Sequence, residues 1–110
     1  MIFITAKFEV RPEDADRWPA ITRAFTEATR AEPGWMWFHW SRRVDNPNEY
    51  VLVEACRDGA AGAAHVQSDH FKAAQRELRP HLIRTPRIVH MEIPQNDWSE
   101  LGELAVEPGS

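Results

Sequence analysis

The chain has 110 residues, 43% of them hydrophobic and 27% charged, with a formal net charge of −4. That composition describes one globular domain with a single core, not a disordered or fibrous chain. No apolar run approaches the roughly 20 residues of a membrane span, and no basic stripe faces a phosphate backbone, so neither membrane nor nucleic acid is an expected partner.

The single cysteine, Cys56, excludes an internal disulfide and suits a reducing, cytoplasmic setting. The N-terminus lacks the basic region, apolar stretch and cleavage site of a secretory leader, which agrees with a cytoplasmic expectation. All 13 Lys and Arg lie before residue 97, balanced there by as many acids. The net charge therefore comes from Asp97, Glu100, Glu103 and Glu107. Composition thus predicts a domain over 1–94 and an acidic arm over 95–110.

Ile2 to Val10 alternates, with Ile2, Ile4, Ala6, Phe8 and Val10 on one face, and predicts a strand with a continuous apolar side. Arg11-Pro12-Glu13-Asp14 reads as a turn into a helix whose stripe is Trp18, Ile21, Phe25 and Ala28, running to about Ala31. Pro19 removes a backbone donor within that helix and predicts a kink or restart. Pro33-Gly34 ends it.

Trp35 to Arg43 predicts a second strand. Trp35, Trp37 and His39 alternate with Met36, Phe38 and Trp40, so both faces are expected to be apolar. Asp45-Asn46-Pro47-Asn48 is a turn by composition, and Glu49 to Arg57 closes a hairpin as the third strand. Asp58 caps a short Ala-rich helix to about Val66. Ser68 or Asp69 caps the next helix, which runs to about Leu78 with Phe71, Ala74 and Leu78 on one stripe. Thr85 to Ile93 predicts the fourth strand.

The order β-α-β-β-α-α-β is that of an α+β, ferredoxin-like split βαβ domain, a four-stranded antiparallel sheet with helices on one face. The bare sheet face carries the Trp-rich strand, and an apolar patch of that kind predicts a homodimer built face to face. In the tail, Trp98, Leu101 and Leu104 form an i, i+3, i+6 stripe, so the arm is expected to dock in cis or in trans, with Pro108-Gly109 frayed.

The hairpin strand Glu49-Tyr50-Val51-Leu52-Val53-Glu54, then Arg57-Asp58, the Ala-rich helix and His65-Val66-Gln67-Ser68-Asp69-His70-Phe71, resembles the antibiotic biosynthesis monooxygenases, in particular their small quinol-oxidising type. The resemblance covers roughly residues 1–94, and H-x-x-S-x-H-F is its most specific string. It implies a dimeric α+β barrel that oxidises phenols, quinols or anthrones with O₂, without metal, flavin or haem. A sister group of haem-degrading enzymes carries W-x-x-S-x-x-F-x-x-A-H. Its Trp falls at His65 and its haem-ligating His at Gln75, and a glutamine side chain is no substitute for an axial imidazole.

The candidate catalytic residues are His65, His70 and Glu54. An imidazole titrates near neutrality and suits a general base. Glu54 stands among apolar neighbours in mid-strand, where burial raises a carboxyl pKa; its structural alternative is an ion pair with Lys7, Arg42 or another strand charge. Trp37, Phe38, Trp40 and Phe71 are candidate walls for a planar aromatic substrate, and Trp35 shares their composition; core or interface packing is the competing reading. Arg84 and Arg87 are candidates for a phenolate partner, with a solvated role as the default. Cys56 reads as an inert buried thiol.

The i, i+5 spacing of the two histidines crosses a helix break, and no Asp, Glu or Cys at helical spacing completes a ligand set, so no metal is expected. A Gly-rich dinucleotide fingerprint is also missing, so no cofactor is expected. Two functions are consistent with these residues: a cofactor-independent monooxygenase acting on a small aromatic substrate, or a non-catalytic dimeric barrel that binds an aromatic ligand or a partner protein.

Overall fold

The computed structural model describes residues 1–106. Four strands, β1 (Ile2–Glu9), β2 (Trp35–Arg42), β3 (Glu49–Cys56) and β4 (Arg87–Glu92), form one antiparallel sheet in the order β2-β3-β1-β4. Four helices accompany them: α1 (Trp18–Ile21), α2 (Arg23–Arg30), α3 (Gly59–Val66) and α4 (Asp69–Leu78). This is the α+β, ferredoxin-like arrangement that the sequence predicts. None of the helices described is long and apolar enough to cross a membrane.

The alternation of β1 decides which side meets the helices. Ala6 is buried and Phe8 joins the core, and across the register Ala6 opposes Leu52 and Phe8 opposes Tyr50. An antiparallel ladder puts directly opposed residues on the same face. Thus Ala6, Phe8, Tyr50, Leu52 and Glu54 all point toward the helices, whereas Phe3, Thr5, Val51 and Val53 point away.

Trp18 is fully buried at the start of α1 and packs edge-on to Trp40, with ring centroids 5.6 Å apart at 89°. Phe8 meets Trp40 at 4.9 Å, and Tyr50 lies on the other side of Trp18 at 6.2 Å. The Tyr50 hydroxyl donates to the Ala15 carbonyl at 2.8 Å, which fixes the chain entering the helix. Truncating a buried aromatic of this kind costs about 3–5 kcal/mol.

The restart expected at Pro19 falls three residues later. Pro19 occupies the first turn of α1, where its missing donor has no helical partner to lose. The break is at Thr22, whose hydroxyl donates back to the Trp18 carbonyl at 2.9 Å. The deepest face of the α1–α2 segment is Trp18, Thr22, Thr26 and Thr29, whereas Ile21 and Phe25 are only half-buried.

The alternation expected in β2 is broken by a bulge between Trp35 and Trp37. An extra residue in one strand shifts the facing of everything before it. Trp35 therefore turns to the helix side, where its ring stacks on His65, while Trp37 takes the open face and meets Trp98 at 5.1 Å.

Both caps form as expected. Asp58 accepts from the Ala61 amide at 2.9 Å, and Ser68, not Asp69, caps α4 by accepting from the Phe71 amide at 3.2 Å. In the arm, Trp98, Leu101 and Leu104 are all exposed, and only Gly102–Leu104 makes a single 3₁₀ turn. Glu107 and the Pro108-Gly109 end lie outside the described residues.

Candidate active site

Three elements converge on one carboxylate. Glu32 sits in the turn after α2, its amide bonded to the Thr29 carbonyl and its carbonyl accepting from the Trp35 amide, each at 3.0 Å. Gly34 in the same turn lies against α3: a Cβ there would stand 2.4 Å from the Ala61 Cβ. A side chain at 34 would push α3 off the turn, so glycine is what lets the last turn of α3 reach Glu32. His65 on that turn bonds Glu32 Oε2 through Nδ1 at 2.6 Å. His70, in the first turn of α4, bonds the same oxygen through Nε2 at 2.8 Å.

The His65 ring is held between aromatic faces. Trp35 stacks on it at 4.3 Å and Phe71 stands edge-on at 5.0 Å. Trp35 also donates its indole N–H to Glu54 Oε1 at 3.1 Å. One tryptophan therefore positions both the imidazole above the sheet and the carboxyl on it. The ion pair offered as an alternative for Glu54 does not form: its partner is this neutral N–H, and the side chain is buried.

Burial controls the protonation of both groups. Removal from water raises the Glu54 carboxyl to about 7, the nearby Glu32 charge adds to the rise, and the Trp35 hydrogen bond opposes it. For His65, burial lowers the imidazole below its ordinary value, against the pull of Glu32. A neutral imidazole and a carboxyl that exchanges its proton near neutrality therefore share one space.

That space is a cavity of about 500 Å³ between sheet and helices, walled mainly by apolar side chains. Ala6, Leu52 and Glu54 form its floor, Phe25, His65 and Phe71 its roof, and the 79–86 segment its mouth. The mouth is tied down by His81, which donates to the Asp14 carboxylate at 2.8 Å. This bond and the Arg17 ion pair hold Asp14 below the usual carboxylate range, with His81 the larger cause. Arg84 lines the mouth, 3.6 Å from Glu9, and Arg87 reaches the same carboxylate at 3.7 Å.

Of the sequence candidates, His65, Glu54, Phe71 and Arg84 line this cavity. His70 stands behind Glu32, outside the lining. Trp37, Phe38 and Trp40 are not walls of it. Trp37 is on the opposite sheet face, Phe38 is fully buried against Phe25, and Trp40 is core with its N–H bonded to the Thr26 hydroxyl at 2.9 Å. Gln75 lines the cavity as well, at the position where the haem-degrading pattern has histidine. Cys56 is buried and its thiol pKa is raised, chiefly by burial, which suits an unreactive group. Glu32 is the residue that sequence reasoning missed, because nothing local links it to partners 33 and 38 positions away.

Residues 1–77 match the sequence profile of the antibiotic biosynthesis monooxygenases. The chain belongs to that family. Among its relatives, a Bacillus subtilis (strain 168) protein provisionally named monooxygenase YcnE is 28% identical over 72 residues, covering 66% of this chain and 76% of that protein. The uncharacterized protein sll1783 of Synechocystis is 26% identical over 85 residues. That match covers 77% of this chain but only 57% of the Synechocystis protein. The solved structure of Rv0793 from Mycobacterium tuberculosis superposes with a TM-score of 0.77 at 26% identity, over 89% of this chain and 98% of that one.

Proposed function

We propose that this protein is a monooxygenase that oxidises a small electron-rich aromatic, a phenol, quinol or anthrone, with O₂ and without a resident cofactor. The observation that carries this reading is His65. Its Nδ1 is committed to Glu32, its ring lines an apolar cavity, and Nε2 has no hydrogen-bond partner among the described residues. An orienting carboxylate behind a histidine fixes the tautomer so that the other nitrogen presents its lone pair.

For an anthrone the steps balance as follows. His65 Nε2 accepts a proton from the ring methylene, leaving an anion delocalised over the rings. The anion passes one electron to O₂, and the substrate radical and superoxide join through a new C–O bond. Glu54, protonated in part near neutrality, returns a proton to the peroxide. Loss of water across the C–O–O–H group leaves a carbonyl, so one oxygen atom ends in the quinone and the other in water. The apolar walls exclude solvent, which strengthens the electrostatic interactions that hold the anion.

The working form is a homodimer, joined through the open sheet face, with 1–94 as the barrel-forming domain and 95–110 as its arm. Support comes from the apolar side chains on that face, Phe3, Trp37, Val51 and Val53, continued by exposed Val89 and Met91 on the edge strand.

The test is an oxygen electrode with purified, chelator-treated protein and a panel of anthrones and quinols. O₂ uptake matched by quinone formation is expected. Tight binding of the same compounds without O₂ uptake would overturn catalysis and leave a ligand-binding barrel.

A further inference from the structure

The Glu32, His65 and His70 cluster has a second chemical capacity. The two ring nitrogens and Glu32 Oε2 are donor atoms, and no two of the three lie more than 4.8 Å apart. All three side chains are at least partly buried, so they are already ordered and substantially desolvated. Two imidazoles and one carboxylate are the donor set of many sites for divalent first-row transition ions, and neutral imidazole suits zinc, copper, iron and nickel alike.

We infer that Glu32, His65 and His70 form a binding site for a divalent transition-metal ion of the zinc class. The donors need a modest rearrangement to take the ion. Bonds of about 2.0–2.1 Å at tetrahedral angles place donors roughly 3.3–3.4 Å apart. The two nitrogen–oxygen separations, 2.6 and 2.8 Å, must open to admit the ion, and the two ring nitrogens, within 4.8 Å of each other, must close toward that value. Rotation of the shared Glu32 carboxylate opens both contacts, and His70, the more exposed histidine at one-quarter of its side-chain surface, swings toward His65. Trp35, Phe25 and Phe71 already pack around the imidazoles and hold the ligand rings in place.

Occupancy has a consequence for the reaction proposed above, and this consequence rests on that reading. An ion on His65 Nδ1 takes the lone pair there and moves the ring proton to Nε2. Nε2 then donates a hydrogen bond and no longer accepts a proton. Metal binding and general-base action are therefore mutually exclusive at this histidine, and the ion is an inhibitor, not a cofactor.

The decisive measurement is competition for Zn²⁺ between the tag-free, full-length chain and a chromophoric chelator, with Co²⁺ absorption spectra alongside. The native chain should take up one Zn²⁺ per chain and develop visible d–d bands with Co²⁺. His70→Ala and Glu32→Gln should each weaken zinc binding by about 10- to 100-fold or more. His90→Ala, exposed on the edge strand β4, should not. Because His70 is partly exposed, its alanine variant is expected to fold, which urea unfolding checks; His70→Gln is the second variant.

Failure of the native chain to retain zinc, or retention unaffected by both His70 variants, overturns the site. These readouts do not involve turnover, so absence of oxidation would reject the proposed function and leave the metal site standing. Where oxidation is observed, Zn²⁺ should abolish it and chelator should restore it; oxidation at full rate with zinc bound overturns the mutual exclusion.

Discussion

His65 Nδ1 lies 2.6 Å from Glu32 Oε2, a contact between the last turn of α3 and a turn 33 residues earlier. In the proposed reaction the carboxylate holds the imidazole with Nδ1 protonated and stabilises the cation that forms when Nε2 accepts a proton. Glu32→Gln retains a hydrogen-bonding side chain of similar size but loses that charge. It should lower kcat while changing KM little, by less than complete loss of His65 does. Single-turnover rates in the presence of chelator test this; an unchanged kcat would mean that the base works without Glu32.

Glu54 predicts a pH-dependent stability. Its folded-state pKa is raised to about 7 from the ordinary 4.5. The native protein therefore binds more protons than the unfolded chain between those values, and stability falls as pH rises through that window. A shift of this size corresponds to roughly 3 kcal/mol, present below the unfolded pKa and lost once pH exceeds 7. Gln at 54 can still accept the Trp35 hydrogen bond and carries no charge. Glu54→Gln should thus be more stable than the native chain at pH 8, and the advantage should vanish by pH 4. Urea unfolding at both pH values measures it, and equal differences at the two would remove burial as the cause.

Local signals were read well from sequence, and long-range ones were not. Asp58 and Ser68 act within three residues of themselves, so their capping is legible from the order of side chains alone. The faces of β1 follow from strict alternation, which holds throughout that strand. The same rule fails in β2, because a bulge is a one-residue slip that composition does not announce. It separates Trp35 from Trp37, bringing Trp35 to the helix side while Trp37 stays on the open face. Phe38 and Trp40 were aromatic enough for either core or pocket, and α2 decided the matter by covering them. Glu32 was invisible for a different reason: its meaning depends on two histidines brought to it by the whole fold.

The open sheet face leads to a prediction about assembly. Val53 is central in that face, opposite Thr5 on one side and His39 on the other. Sedimentation should find the native chain dimeric at micromolar concentration. Val53→Glu puts a charge in the buried core of such an interface and should yield monomer. A native monomer would sink the dimer, and a dimeric Val53→Glu would move it to another face. The arm adds a smaller term, because Trp98 stacks on Trp37 at 5.1 Å. An aromatic pair contributes about 0.5–1.5 kcal/mol beyond the area it buries, so Trp98→Ala should lower stability by at least the low end of that range.

The sharpest expectation concerns the division of labour between His65 and Glu54. A positioned general base contributes about 10²- to 10⁴-fold, so His65→Ala should lower kcat within that range and alter KM little. Burial lowers the His65 pKa, so the accepting, neutral form already prevails at neutrality. In the proposed reaction the alkaline side belongs to Glu54, which must be protonated to return a proton to the peroxide. Glu32 raises its pKa along with burial, and no cationic side chain bonds it among the described residues. The rate should therefore fall as pH rises through about 7, the value set by burial of that carboxyl. Glu54→Gln cannot return a proton, so it should be slower and its profile should lose the alkaline fall. A profile that instead rises through pH 7 in the native protein and flattens in Glu54→Gln would assign Glu54 as the base and reverse the two roles.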